Sequence, residues 1–247
     1  MYKPEILYED NHLIVVNKPA GMLSQGDDTN DMPITEHVKA YLKEKYNKPG
    51  KVFLGLPHRL DRPVSGVLVL TRTSKALDRI TEMFKQRQMQ KIYWAFVNNP
   101  PPEKEGTLTH YLVRNRQKKV TYAYHYERND GKKSVLAYRL LFSAEKYHLL
   151  EIYPYTGRIH QIRVQLAQIG CHIKGDVKYG FNRTNPNLNI HLHAREIRFM
   201  HPVRHEMLQI VADPPQNDAL WDLAMRWGAE NYNLPHKDLL SSEALGE

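Results

Sequence analysis

Short β-rich runs follow one another along this chain with only a few helical segments between them, and no regular β-α-β alternation joins them. That order argues for an α+β fold with a mixed, mainly antiparallel β-sheet and flanking helices and loops. Strands are expected at 6–8, 13–16, 66–71, 92–97, 135–142, 148–153, 196–199 and 206–211, and a polar hairpin-like region precedes 135. Apolar residues at helical spacing predict helices over 35–45 and 74–86, the second with Leu77, Ile80 and Phe84 on one face and Thr73 or Ser74 as its cap. Ile159, Ile162, Leu166 and Ile169 define a third helical face that Gly170 stops, and 219–227 reads as a final helix before a loose tail. Lys18-Pro19-Ala20-Gly21 forces a turn, and Pro100-Pro101-Pro102 is a candidate subdomain boundary.

Charge narrows the partners. Lys and Arg number 35 against 27 Asp and Glu, and the pI is about 9.4. A surface of this kind attracts polyanions, of which nucleic acid is the commonest in the cytoplasm. No apolar run approaches the roughly 20 residues that span a bilayer. The first segment carries Lys3, Glu5, Glu9 and Asp10 where a signal peptide has its apolar core. Cys171 is the only cysteine, so no intrachain disulfide forms, in keeping with a reducing, cytoplasmic setting.

One loop concentrates chemistry. In His58-Arg59-Leu60-Asp61-Arg62-Pro63-Val64-Ser65-Gly66, one carboxylate is surrounded by three charged or titratable side chains, and a buried strand follows at once. Such a loop at the end of a sheet is a usual place for reactive groups. With Arg59 and Arg62 close by, Asp61 would stay ionised and could act as nucleophile or base; the plainer reading is an Asp–Arg pair that ties a turn. A second cluster, Arg158, His160, Gln161 and Arg163, gathers at the first turns of the third helix, whose Thr156-Gly157 start suits a phosphate. On the strand at 92–97, alternation puts Tyr93 and Ala95 on one face and Trp94 and Phe96 on the other, so Tyr93 faces either a cleft or the core.

Taken together, these segments resemble the RluA-like pseudouridine synthases. His58-Arg59-Leu60-Asp61 with Ser65-Gly66 is similar to that family's catalytic loop, and Gly157-Arg158, His160 to Val164 and Leu166-Ala167 to its second signature. Gly175-Asp176-Val177-Lys178-Tyr179-Gly180, His193-Ala194 with Phe199 and His201-Pro202, Lys18-Pro19-Ala20-Gly21 and Lys91-Ile92-Tyr93-Trp94-Ala95 complete six segments in the family's order, from about Ile6 to Ala212. The resemblance implies the pseudouridine synthase fold over 1–215, with 216–247 a C-terminal helix and tail. It implies a catalytic set of Asp61, Tyr93 and Arg163. Asp61 attacks the ribose C1′ or takes a ribose proton, Arg163 keeps it ionised, and Tyr93 stacks on the uracil. Arg59 fills the place left by the flipped uridine, and Ile197 lines the base pocket. His58, Arg62, Arg158, His160 and Gln161 complete the expected substrate contacts.

The substrate implied is a structured rRNA or tRNA, with no cofactor, no metal and no obligate protein partner, and a monomer is expected. Arg114, Arg116, Lys118 and Lys119 are candidate phosphate contacts on a projecting hairpin. Val64, Gln165 and Cys171-His172-Ile173 depart from the family pattern at non-catalytic positions. Many relatives carry an N-terminal S4 domain; here RNA recognition is expected to rest on the catalytic domain. Three other readings compete: a metal-dependent hydrolase, a non-catalytic RNA-binding module and a glycosidase. His191, His193, His201 and His205 crowd one stretch as zinc ligands would, though without a cysteine pair or His-Glu-x-x-His. A binding module with lost catalysis would not need Asp61, Tyr93 and Arg163 together. A glycosidase would need a second acid, which is not evident.

Overall fold

A computed structural model of the chain describes residues 2–231. Ten strands form one sheet: β1 (Glu5–Glu9), β2 (Leu13–Lys18), β3 (Ser65–Thr71), β4 (Gln90–Val97), β5 (Glu105–Asn115), β6 (Val120–Tyr124), β7 (Lys132–Ser143), β8 (His148–Pro154), β9 (Leu192–Met200) and β10 (Met207–Val211). Their order is β1-β2-β3-β9-β4-β8-β7-β5-β6, with β10 paired to β9. Every pairing is antiparallel except the short contact of β3 with β9. Four helices flank the sheet: α1 (Ile34–Lys45), α2 (Ser74–Lys85), α3 (Gln161–Gln168) and α4 (Ala219–Asn231). The fold is thus α+β on a mainly antiparallel sheet. Among the described residues no helix is long and apolar enough to cross a membrane.

Alternation sorts the core onto two faces. Ile14, Val16, Leu68, Leu70 and Ala95 bury against α1 and α3, while Leu13, Val15, Val67 and Val69 bury against Ala76 and Ile80 of α2. Trp94 and Phe96, opposite Tyr93 and Ala95 on β4, meet Trp221 and Ala224 of α4. Because β3 is covered on both faces, all seven of its residues are buried. α2 starts as its cap predicts: Thr73 is extended, and its hydroxyl accepts the Ala76 N–H at 3.2 Å.

Three expectations need correction. The proline run does not divide the chain, because β4 before it and β5 after it lie in the same sheet. β9 begins at Leu192, well before 196, since His193 and Ala194 pair with β3 and β4. Ile159 lies ahead of α3 and is 48% exposed. His160 adopts the left-handed conformation there (φ 59°), which turns Ile159 away from the core. Gln161 and Arg163 of the polar cluster, and Gln165 beyond them, are buried. The expected tail lies outside the described residues.

Gly66 fixes the seam between β3 and β9. Its φ is +115°, and a Cβ there would lie 2.2 Å from the Ala194 carbonyl oxygen. Both the backbone conformation and the approach therefore demand glycine. Gly66→Ala should destabilise the protein by about 2–4 kcal/mol, read as a lower urea midpoint; an unchanged midpoint would refute this account of the seam.

Candidate active site

The loop bearing Asp61 is pinned residue by residue. The Ser24 hydroxyl donates to the Leu60 carbonyl at 2.7 Å and accepts the Leu60 N–H at 3.1 Å. The Arg62 carbonyl takes the Gly21 N–H at 2.7 Å and the Lys18 ammonium at 3.3 Å. The Pro63 carbonyl takes the Ile190 N–H at 3.1 Å. Leu60 and Val64 anchor the loop in the core on either side of Asp61, and the Val64 N–H closes a turn onto the Asp61 carbonyl at 3.0 Å. The side chain between these anchors has little freedom of position, which is what a reacting group requires.

Arg163 meets Asp61 from α3. Its Nη1 donates to Asp61 Oδ2 at 2.9 Å. Its Nε and Nη2 donate to the two oxygens of Asp176 at 2.7 and 2.8 Å. The guanidinium also lies 5.1 Å from the centre of the Tyr179 ring. Arg163 and Asp176 are buried, whereas the Asp61 side chain is 27% exposed. Of the two carboxylates, Asp61 alone opens to the cleft.

His160 adds a second contact, its Nε2 lying 3.7 Å from Asp61 Oδ2. Burial pushes this imidazole down to about 4, against the pull of Asp61, so it is neutral at physiological pH. Its Nδ1 faces the Tyr179 hydroxyl at 2.6 Å and Arg114 Nη1 at 3.4 Å. Tyr179 already accepts the Thr121 N–H at 2.9 Å, so its own proton is free for Nδ1. This network assigns the His160 proton to Nε2, on the side of Asp61.

A cleft of about 740 Å³ opens over Asp61, lined also by Arg59, Lys91, Tyr93, Arg114, Gly157 and His160. Burial, then Asp61, raises the Tyr93 phenol well above its usual range, so it stays protonated. Burial lowers Lys91 to about 8 and Lys18 to about 7. The Lys18 ammonium is spent on the loop, also donating to the Pro19 and Met22 carbonyls at 2.8 Å.

Asp61, Tyr93, Arg163, Arg59, Arg158 and His160 all reach this cleft, Arg59 and Arg158 as exposed side chains. His58, Arg62 and Gln161 also line the cleft, with their polar groups bonded to the protein. His58 Nε2 accepts the Val69 N–H at 2.9 Å and its ring lies against Phe84; burial, then Lys91, holds it down to about 3. Arg62 binds the Gly21 carbonyl at 2.9 Å and Asp31 at 2.7 Å, so Asp61 is paired by Arg163 instead of its sequence neighbours. The Gln161 oxygen accepts from Thr156 Oγ1 and the Arg158 N–H, and its amide donates to the Val135 carbonyl. Ile197 is buried with Ile80 of α2 and with Met89, and is not among the residues that line the cleft. Leu192, also on β9, lines it.

Sequence reasoning missed Asp176, Tyr179, Ser24 and Lys18 as supports. Asp176 and Lys18 stood in quoted motifs, but only the fold shows what they hold. The histidine cluster is dispersed: His193 bonds Ser65 Oγ and the Ala212 carbonyl, each at 2.9 Å, while His201 faces Asp10 at 2.9 Å and His191 faces Asp218 at 3.0 Å. Among the described residues no group of three His, Cys, Asp or Glu is placed to hold a metal ion.

The model of the RNA pseudouridylate synthase family matches residues 12–168. A tRNA pseudouridine synthase C of Vibrio cholerae is 34% identical over 226 residues, 84% of this chain and 90% of the relative. A ribosomal large subunit pseudouridine synthase D of Borreliella burgdorferi is 35% identical over 71% of this chain but only 54% of its own length. Among solved structures, Human RNA Pseudouridylate Synthase Domain Containing 4 superposes with a TM-score of 0.73 at 26% identity, covering 90% of this chain and 92% of that one. The chain is a member of the RNA pseudouridylate synthase family, of the RluA-like kind, and so an isomerase that acts on RNA.

Proposed function

We propose that the protein isomerises one specific uridine in a structured tRNA or rRNA to pseudouridine, with Asp61 as the catalytic carboxylate. The observation that carries this reading is the Arg163 guanidinium, bound to Asp61 at 2.9 Å on the cleft side and clamped by Asp176 behind. One arginine facing two aspartates leaves a net negative charge, and its open end is Asp61. That is the charge needed to meet C1′ as it becomes electron-poor, or to take a ribose proton. Tyr93, a neutral phenol, offers its ring face to the uracil, and Arg59 at the rim occupies the gap in the stack. Uracil leaves N1, turns and rejoins the sugar through C5. Nothing is consumed and no carrier is required, so no cofactor enters the reading.

Transfer RNA is the substrate to try first, since the relative matched over most of its length bears a tRNA name. The catalytic unit of this reading is 1–215, acting as a monomer in the cytoplasm, with 216–247 an appendage. RNA contact extends to the β5–β6 turn, where Arg116, Lys118 and Lys119 are exposed.

Two outcomes are expected. Asp61→Asn, incubated with tRNA and rRNA transcripts, should lose conversion by at least about 10⁴-fold while binding RNA as the wild type does; modification that survives removes Asp61 from its role. Replacing Arg116, Lys118 and Lys119 by Gln should lower the slope of log affinity against log salt by about 2. An unaltered slope in filter binding would take the hairpin out of the RNA interface.

A further inference from the structure

Lys91 lines this cleft as a half-buried cation, in contrast to the exposed Arg59, Arg87 and Arg158. It lies two residues before Tyr93 on β4, so both side chains leave the same face of the strand. Both line the cleft. Its ammonium lies 3.9 Å from where a Cβ on Gly157 would stand, under the turn that leads into α3. Among the described residues it has no ion pair and no hydrogen bond. Its low affinity for a proton comes from burial alone, with no carboxylate opposing it. The titratable group that feels it is His58, which is neutral. A desolvated cation without a counter-charge is costly to the folded protein. It is retained at low cost only where something else supplies the acceptor.

The order of groups along the cleft says what that acceptor is. Tyr93 pairs with Ala194, which pairs in turn with Gly66 at the exit of the Asp61 loop, whereas Lys91 pairs with Ile197 further along β9, so Lys91 is the more remote of the two from that loop. A uridine with its ribose at Asp61 and its base on Tyr93 directs the far edge of the ring towards Lys91. The atom opposite N1 on that ring is C4, which carries O4. From these positions, and on the reading of this cleft as the pseudouridylation site, we infer that Lys91 donates to a uracil carbonyl oxygen and holds the base while it is detached.

Uracil has a symmetry that makes one fixed donor sufficient. When the C1′–N1 bond breaks, its electron pair stays with the ring and spreads over N1, O2 and O4. A half-turn about the N3–C6 axis then exchanges N1 with C5 and O2 with O4. The ring presents C5 to the sugar, and Lys91 meets O2 where O4 had been. The pair forms the C5–C1′ bond, the C5 proton leaves to the base of the site, and N1 takes up a proton in exchange, so the product is an isomer of the substrate. No proton passes to or from Lys91; it serves as an oxyanion donor. Cytosine carries an amino group at C4, a donor facing a donor, so the same contact selects uracil.

The test uses the full chain and the tRNA or rRNA transcript that the wild type modifies. Lys91→Met keeps the apolar stem and removes the charge. It should slow single-turnover conversion by about 100-fold with RNA affinity within twofold of wild type, and Lys91→Arg should recover at least a tenth of the wild-type rate. A merely structural lysine gives the same defect whatever base leaves. With 5-fluorouridine at the target, where fluorine already stabilises the ring anion, cleavage of the C1′–N1 bond by Lys91→Met should lag wild type by less than tenfold. A Lys91→Met rate within threefold of wild type, an equal defect on both RNAs, or a loss confined to affinity overturns the inference and leaves the function standing. A wild-type protein that forms no pseudouridine in any transcript overturns both.

Discussion

Arg163 is the constraint on which the site depends. Its guanidinium makes three hydrogen bonds to two carboxylates that come from separate parts of the chain, Asp61 after β2 and α1, and Asp176 after α3. Burying such a group stabilises little by itself, because desolvation consumes most of the attraction. What it provides is geometry: the planar fork leaves one orientation in which all three bonds form. Asp176 neutralises most of the fork from the buried side, and the remaining donor points Asp61 at the cleft. Lysine could not make this arrangement, since an ammonium has no planar fork with which to grip one carboxylate and face another.

The rest of the fold brings that triad together without asking it to move. The helix carrying Arg163 is seated by Ile162 and Leu166 in the same core cluster that takes Leu60 and Val64 from the Asp61 loop. β3 leaves the loop and is locked to β9 at Gly66, so the loop's exit cannot drift. Lys18 and Ser24, from the opposite side, hold carbonyls of Arg62 and Leu60. The reactive carboxylate is therefore placed by backbone contacts on each flank, and its orientation is set by one arginine. Two lysines near the loop differ in standing: Lys18 is buried and satisfied by carbonyls, while Lys91 lines the cleft.

Much of this was legible in the sequence. The period-2 runs located the strands of the central sheet, and Thr73 marked the start of α2, because these are local preferences. The cluster around Asp61 and the basic hairpin announced themselves by charge density. What was less legible comes mostly from one source, which is that a polar side chain does not reveal whom it serves. His58, Arg62 and Gln161 look like ligand contacts by type and are spent on backbone groups of Val69, Gly21 and Arg158. Asp176 looks like a loop residue and is the support of Arg163. Arg59 and Arg62 are nearest to Asp61 in sequence, but its partner is 102 residues away. Ile159 was misassigned because the left-handed turn at His160 delays the helix, something the apolar spacing could not convey.

The most direct test of this account is a double-mutant cycle between Arg163 and Asp176, read as the single-turnover rate of pseudouridine formation. Asp176 touches the reaction only through Arg163, so Asp176→Asn and Arg163→Lys should each slow the reaction by roughly 100-fold, and the double variant should be no slower than the slower single one. Effects that multiply, or an Asp176→Asn variant as fast as wild type, would mean that Asp61 is positioned by something other than this arginine and its buried support.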